Sequence, residues 1–377
     1  MTRSYFLASA FVLATATLAT GANAGPKTYT AKFGDMVLTA QSLIVGQTST
    51  ATIAGGGNAL YLASRPQKNG VVGLLMTYDN GDQFVCSGSL ASDRRSIVTA
   101  AHCVSGGAGT PNPVNTKAIF WNGSDVNQVW FEPNVTAIDV TQYFVNPGYT
   151  GEVIDQNDIA VLRLADFAPK WATSYELFTT DIEGLGFNVA GYGRRSNAGG
   201  SIGANLGTGR LREGDNIYDY RLGNADFGTN YTDFWGVPFA QAEYSYVSDF
   251  DRSGFAANDA SNKVANFLGA PLNKYSQTGV GAREVGISGG DSGGPGFVNG
   301  KLASVNSWGG SVGIDLGDVD ENLNSSWGEF SGYVPIFIHE KFLLSSFVPE
   351  PATWGMMIVG FGAVGFAARR QRAAATA

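Results

Sequence analysis

From Ile53 to about Leu164 the apolar residues come in short runs, several of them alternating with polar ones: VVGLLMTY, QFVCSGSL, SIVTAA, QVWFEPNVTAIDV and IAVLRL. Gly, Asn, Asp and Pro separate the runs, a rhythm that predicts strands joined by turns. A second set, including FNVAGYG and LASVNSW, continues after Ala165. Between about Arg194 and Gly281 it is interrupted by a stretch rich in Gly, Asn, Asp, Tyr and Phe, read as large inserted loops. The body is therefore all-β. Near its end, VPIFIHEKFLLSSF has the apolar spacing of a short amphipathic helix, with His339 on it as a surface or packing residue. Residues 25–52 are rich in Thr and Ala without a clear period, which suits a leader or pro-segment as well as an edge strand.

The two ends of the chain follow other patterns. Arg3, an apolar run from Tyr5 to Leu18 and the small-x-small triplet Ala22-Asn23-Ala24 predict a signal peptide over 1–24, removed by signal peptidase to leave Gly25 first. The remainder divides into a possible pro-segment at 25–52, a body at 53–347 and a tail at 348–377. At 377 residues and 44% hydrophobic the chain can bury a sizeable core. A net charge of -8 and no basic block within the body exclude nucleic acid as a partner. The only cysteines, Cys86 and Cys103, are expected to pair in the oxidising compartment that export implies.

Three stretches carry chemistry. GISGGDSGGPGF surrounds Ser292 with glycine, whose bare backbone lets N–H groups approach a reacting oxygen. SIVTAAHCV sets His102 beside Cys103, so a bridge to Cys86 would pin the backbone that carries the imidazole. QNDIAVLRL puts Asp158 at the mouth of an apolar strand, where a carboxylate needs a partner. His102 donating from Nδ1 would satisfy it and leave Nε2 free to take a proton. No spacing typical of metal ligands joins His102 and His339, and neither a metal nor a cofactor is expected. DFDRSGFAAND offers Asp249, Asp251, Ser253 and Asp259, but without the bidentate Glu of an EF-hand loop it is read as a solvated turn.

In that order, TAAHC, NDIAVLRL, GDSGGP and SWG resemble the trypsin/chymotrypsin-like serine proteases from about Ile53 to Phe347. The resemblance implies two antiparallel β-barrels with the active site between them. His102 would be the general base, Asp158 its orienter, Ser292 the nucleophile, and the N–H groups of Gly290 and Ser292 the oxyanion hole. It also implies a specificity pocket with Gly286 at its base and Ser307, Trp308 and Gly309 along one wall, pairing with the backbone of a protein or peptide substrate. With no carboxylate at that base, cleavage is expected after an uncharged residue, unless Asp315 or Asp318 folds in. Activation in such proteases often frees an Ile-Val-Gly-Gly amine. Here IAGG at Ile53 is similar, so either Ile53 is freed to pair with Asp291 or 25–52 stays attached and Asp291 finds another partner.

Two other readings compete. GDSGG also fits the G-x-S-x-G elbow of α/β-hydrolases, with Asp315, Asp318 or Asp320 and then His339 completing an esterase-type triad, but Gly293-Gly294-Pro295 is a poor start for the helix that elbow needs. The body could also be a catalytically silent surface-binding module on a protease scaffold. The tail joins Pro349-Glu350-Pro351, an apolar run from Trp354 to Ala368 and the basic Arg369, Arg370 and Arg372. It resembles a bacterial PEP-CTERM sorting signal, implying processing by an exosortase-type enzyme, a transient membrane contact and delivery to the cell surface or beyond. The run is short for a permanent span, which takes about 20 residues.

Overall fold

The computed structural model describes residues 27–347 except 34–35, 42–43, 124, 126–128 and 132–134. The signal peptide and the sorting tail lie outside the described residues. A hairpin of β1 (Thr28–Phe33) and β2 (Met36–Gln41) comes first, then the two-residue strand β3 (Val45–Gly46).

Six strands then close into an antiparallel barrel: β4 (Val71–Thr77), β5 (Gln83–Leu90), β6 (Ser96–Thr99), β7 (Asn115–Phe120), β8 (Thr136–Val145) and β9 (Ala160–Leu164), in the order β4-β5-β6-β9-β8-β7. Closure leaves no free edge and turns alternate residues such as Leu74, Ile97 and Leu162 into a fully buried interior. Register decides what the barrel presents at its rim. Because Thr99 pairs with Ala160, the end of β6 and the start of β9 are neighbours, and the residues just beyond them, His102 and Asp158, emerge at the same end.

The second half is a curled sheet rather than a closed cylinder. Its strands are β10 (Gly186–Gly191), β11 (Arg212–Ile217), β12 (Tyr220–Arg221), β13 (Tyr246–Asp249), β15 (Pro295–Val298), β16 (Lys301–Ser311) and β17 (Phe330–Pro335), in the order β11-β10-β15-β16-β17-β13-β12. The short β14 (Val285–Gly286) pairs with β3 instead. Asn299 and Gly300, both at positive φ, make the tight turn between β15 and β16 that the Asn-Gly pair favours.

The stretch expected as inserted loops is long and irregular, yet it also supplies β11 to β13 and the short helices α1 (Asn230–Trp235), α2 (Phe239–Ala242) and α3 (Ala260–Phe267). Their apolar faces cover Trp308, whose ring is buried against Trp235. The expected C-terminal helix is α4 (Glu340–Ser346), and His339 just before it is a buried packing residue. Among the described residues no helix is long and apolar enough to cross a membrane.

Candidate active site

His102 sits in a 3-10 turn (Ala101–Cys103) directly after β6, and Cys103 in that turn is bonded to Cys86 on β5 across a Cα separation of 6.3 Å. The backbone under the imidazole is thus tied to its own barrel. Asp158, with 1% of its surface exposed, grips the histidine twice: Oδ1 accepts the His102 backbone N–H at 2.8 Å, and Oδ2 meets Nδ1 at 2.7 Å. A carboxylate has no proton to give here, so Nδ1 carries the hydrogen and Nε2 keeps its lone pair.

A third donor comes from the other half of the molecule. The Ser307 hydroxyl donates to Asp158 Oδ2 at 2.6 Å. The β16–β17 register slips between Asn306 and Trp308, and such a bulge re-aims the side chain it carries, here across the interface to the carboxylate. Behind Asp158, the Asp155 carboxylate accepts from Thr150 and from the Asn157 N–H, while His339 Nε2 donates to the Gln156 carbonyl at 2.7 Å. The loop carrying the carboxylate is held from both sides.

Ser292 lies just before β15, which pairs with Lys301–Val305 of β16, two residues short of Ser307. The Ser292 carbonyl accepts the Ser87 N–H at 2.8 Å. Cys103 Sγ lies 3.7 Å from that carbonyl oxygen and 3.9 Å from His102 Nε2, so serine and imidazole flank one sulfur at the junction of the two halves. Both sulfurs are spent on the disulfide, which removes the Cys86, His102 and Cys103 grouping as a metal site. Gly290 turns at φ 96°, a conformation that favours glycine, and its carbonyl is held by the Ser87 hydroxyl at 2.8 Å. Among the described residues the N–H groups of Gly290 and Ser292 donate to nothing else.

The α/β-hydrolase alternative does not assemble. Ser292 leads into a strand, Asp318 accepts from the Ser311 and Ser326 hydroxyls, Asp315 is exposed, and His339 is engaged by Asn146 and Gln156.

In the uncut chain Asp291 follows the second of its two expected courses and finds other partners. Its buried carboxylate accepts the N–H groups of Gly193 (2.8 Å), Ser288 (2.9 Å) and Ile44, not that of Ile53. The N–H of Ile53, a residue 47% exposed, donates to Asp125 instead. Ile44 and Val45 are buried, and Gly46 has no room for a side chain, since a Cβ there would meet the Tyr61 ring at 2.3 Å. The signal available in the sequence was Ile44-Val45-Gly46, one short apolar pair followed by an obligatory glycine.

Residues 62–216 match the trypsin family. Over those residues the chain is similar to that family. The match takes in His102 and Asp158 and ends before Ser292, with α1, α2 and α3 lying between its end and that serine. Residues 347–372 match the PEP-CTERM protein-sorting motif, which indicates export and sorting to the cell surface. No curated protein matches the chain.

The position expected at the base of the specificity pocket, Gly286, lies against Phe250, whose ring a Cβ at Gly286 would meet at 3.2 Å. The nearby Glu329 is committed to the N–H groups of Asn324, Ser325 and Ser326, and burial pushes it up to about 8. On the expected wall, the Trp308 side chain donates to Ser245 at 3.1 Å, and its backbone pairs with Gly332 of β17. Gly309 is already paired: Gln41, Ala40 and Thr39 of β2 run antiparallel to Gly309, Gly310 and Ser311. β2 occupies the strand edge expected for substrate. One expectation is corrected: the stretch read as a solvated turn is not one, since Asp249, Asp251 and Asp259 are buried and only Ser253 of that set is exposed.

Proposed function

We propose that the protein is an exported serine endopeptidase, made as a precursor, that cleaves peptides through an acyl-enzyme on Ser292. The observation that carries this reading is the Asp158 carboxylate, which fixes the His102 ring by Nδ1 while Ser307 braces it from the neighbouring sheet. His102 Nε2 takes the Ser292 proton, the serine oxygen attacks the peptide carbonyl, and the N–H groups of Gly290 and Ser292 receive the developing oxyanion. His102 then returns the proton to the leaving amine, and water releases the acid by the same steps in reverse. One oxyanion donor is worth about 3 kcal/mol in such a site.

A fluorophosphonate probe should label the activated protein, and Ser292→Ala should abolish the labelling. Labelling that survives the substitution rejects the assignment, and an activated wild type that takes no label points to a silent binding module.

For the substrate, Gly286 beside Phe250 supports a pocket for an uncharged, apolar or aromatic side chain. A buried lysine or arginine there would lack a counter-charge, because Glu329 and Asp318 are held by other donors. A peptide library should show cleavage after such apolar residues, and a strict preference for Arg or Lys would sink this part of the reading.

The precursor form explains why β2 lies along Gly309: the leader takes the place of substrate backbone until the chain is cut between residues 43 and 44. Cutting there, in place of the boundary first drawn at 52, gives Ile44 a free amine next to a carboxylate its own N–H already touches.

A further inference from the structure

At the end of β13 the chain turns through Asp249 and Asp251 and enters α3 at Asp259, whose carboxylate caps the Asn262 N–H. Oxygens of these three carboxylates lie within 4.8 Å of one another, all buried. Asp219 and Glu284, also buried, close the group: Asp219 accepts the Asp249 N–H at 3.1 Å and the Ser261 hydroxyl at 2.5 Å, and Glu284 accepts the Asp251 N–H at 2.6 Å.

Charge balance fails if only protein groups are counted. Among the described residues none of these five acids joins an ion pair; the adjacent Arg252 stacks over Phe255 and Trp327 instead. Most telling is Asp251. It is wholly buried, and no donor reaches either of its carboxylate oxygens. An unpaired buried carboxylate is costly, and natural sites of this kind are paired or hold a metal. The Gln277 side-chain oxygen is also buried without a partner, while its amide nitrogen donates to Asp219.

We infer that Asp249, Asp251 and Asp259 bind one calcium ion, with Gln277 Oε1 as a neutral ligand and Asp219 and Glu284 fixing the ligand backbone. The donors are all oxygen, which excludes a site built for zinc. Their spread suits a cation held at about 2.3–2.6 Å by several carboxylates better than the smaller, octahedral magnesium. The site also touches the presumed substrate pocket. Phe250, between two ligands, packs on Gly286, Glu284 directly precedes β14, and the Gln47 side chain donates to the Asp251 carbonyl. The ion would therefore stiffen the pocket base and the segment that follows Ile44.

The test uses the full exported chain, before and after chelation. Equilibrium dialysis against radiolabelled calcium should find one ion bound at about 1 mM, the range of extracellular calcium modules, and the melting temperature should rise by several degrees over that in EGTA. Asp251→Asn removes the unpaired charge without changing shape. It should lose at least tenfold in calcium affinity and its melting temperature should no longer respond, while its stability in EGTA equals or exceeds that of the wild type. Asp259→Asn should likewise lose binding and serves if the first variant does not fold. No calcium retained by the wild type, an undiminished response in a folded variant, or an equal response to magnesium would overturn the assignment.

Discussion

Asp158→Asn protein, cut to its active form, should turn over a peptide about 10⁴-fold more slowly than the wild type while melting at nearly the same temperature. The carboxylate accepts three hydrogen bonds, from the His102 N–H, His102 Nδ1 and the Ser307 hydroxyl. A carboxamide keeps the shape and some of those bonds, but its NH₂ faces the imidazole as a donor and favours the tautomer with the proton on Nε2. That nitrogen then has no lone pair for the serine proton, and the charge balancing the imidazolium is gone. Ser307→Ala, by contrast, removes one neutral donor and leaves the tautomer intact, so its loss should be about tenfold. Turnover numbers for the two variants, read beside their melting curves, check both. A loss below tenfold in Asp158→Asn would show that His102 is oriented by something else.

His102, Asp158 and Ser292 could be picked out as candidates because each sits in a short motif whose chemistry is local: a histidine beside a bridged cysteine, a carboxylate opening an apolar strand, a serine among glycines. Most barrel strands were legible for a similar reason, since β4 and β9 are nearly continuous apolar runs and β5 and β6 carry shorter ones bounded by polar residues. β11, with the sequence REGDNI, was not. Its buried polar side chains are balanced by distant residues, Arg212 by Asp125 and Glu213 by Lys68, and no local pattern announces such pairs. The acidic cluster was misread for the same reason. Asp219 and Glu284, which close it, lie well outside the DFDRSGFAAND stretch. Ser307's reach to Asp158 depends on a bulge, a matter of register that spacing does not reveal.

The leader is where sequence and geometry part most widely, and it carries the other large effect. Active enzyme is expected to begin Ile44-Val45-Gly46-Gln47, and a chain that cannot be cut between residues 43 and 44 is expected to be inactive for two separate reasons. β2 stays paired with Gly309 through Ser311, and Asp291 never receives an ammonium. In the uncut chain burial raises Asp291 to about 8, against the lowering by the Gly193 and Ser288 N–H groups. A folded value above the unfolded one means that the native state holds the extra proton, so this residue's contribution to stability is full below about pH 4 and is lost as pH rises toward 8. After the cut, the Ile44 ammonium supplies the counter-charge. The melting temperature of uncut chain should therefore fall more steeply between pH 5 and pH 8 than that of cut chain, a difference that cancels the other buried acids common to both. Asp291→Asn should cost the cut enzyme about 10² to 10⁴-fold in activity, since stranding one partner of a buried ion pair costs about 3–5 kcal/mol. N-terminal sequencing, paired melting curves and the activity of this variant read the three consequences independently; full activity in a chain that still begins at Gly25 would defeat the scheme, and with it the role given to β2.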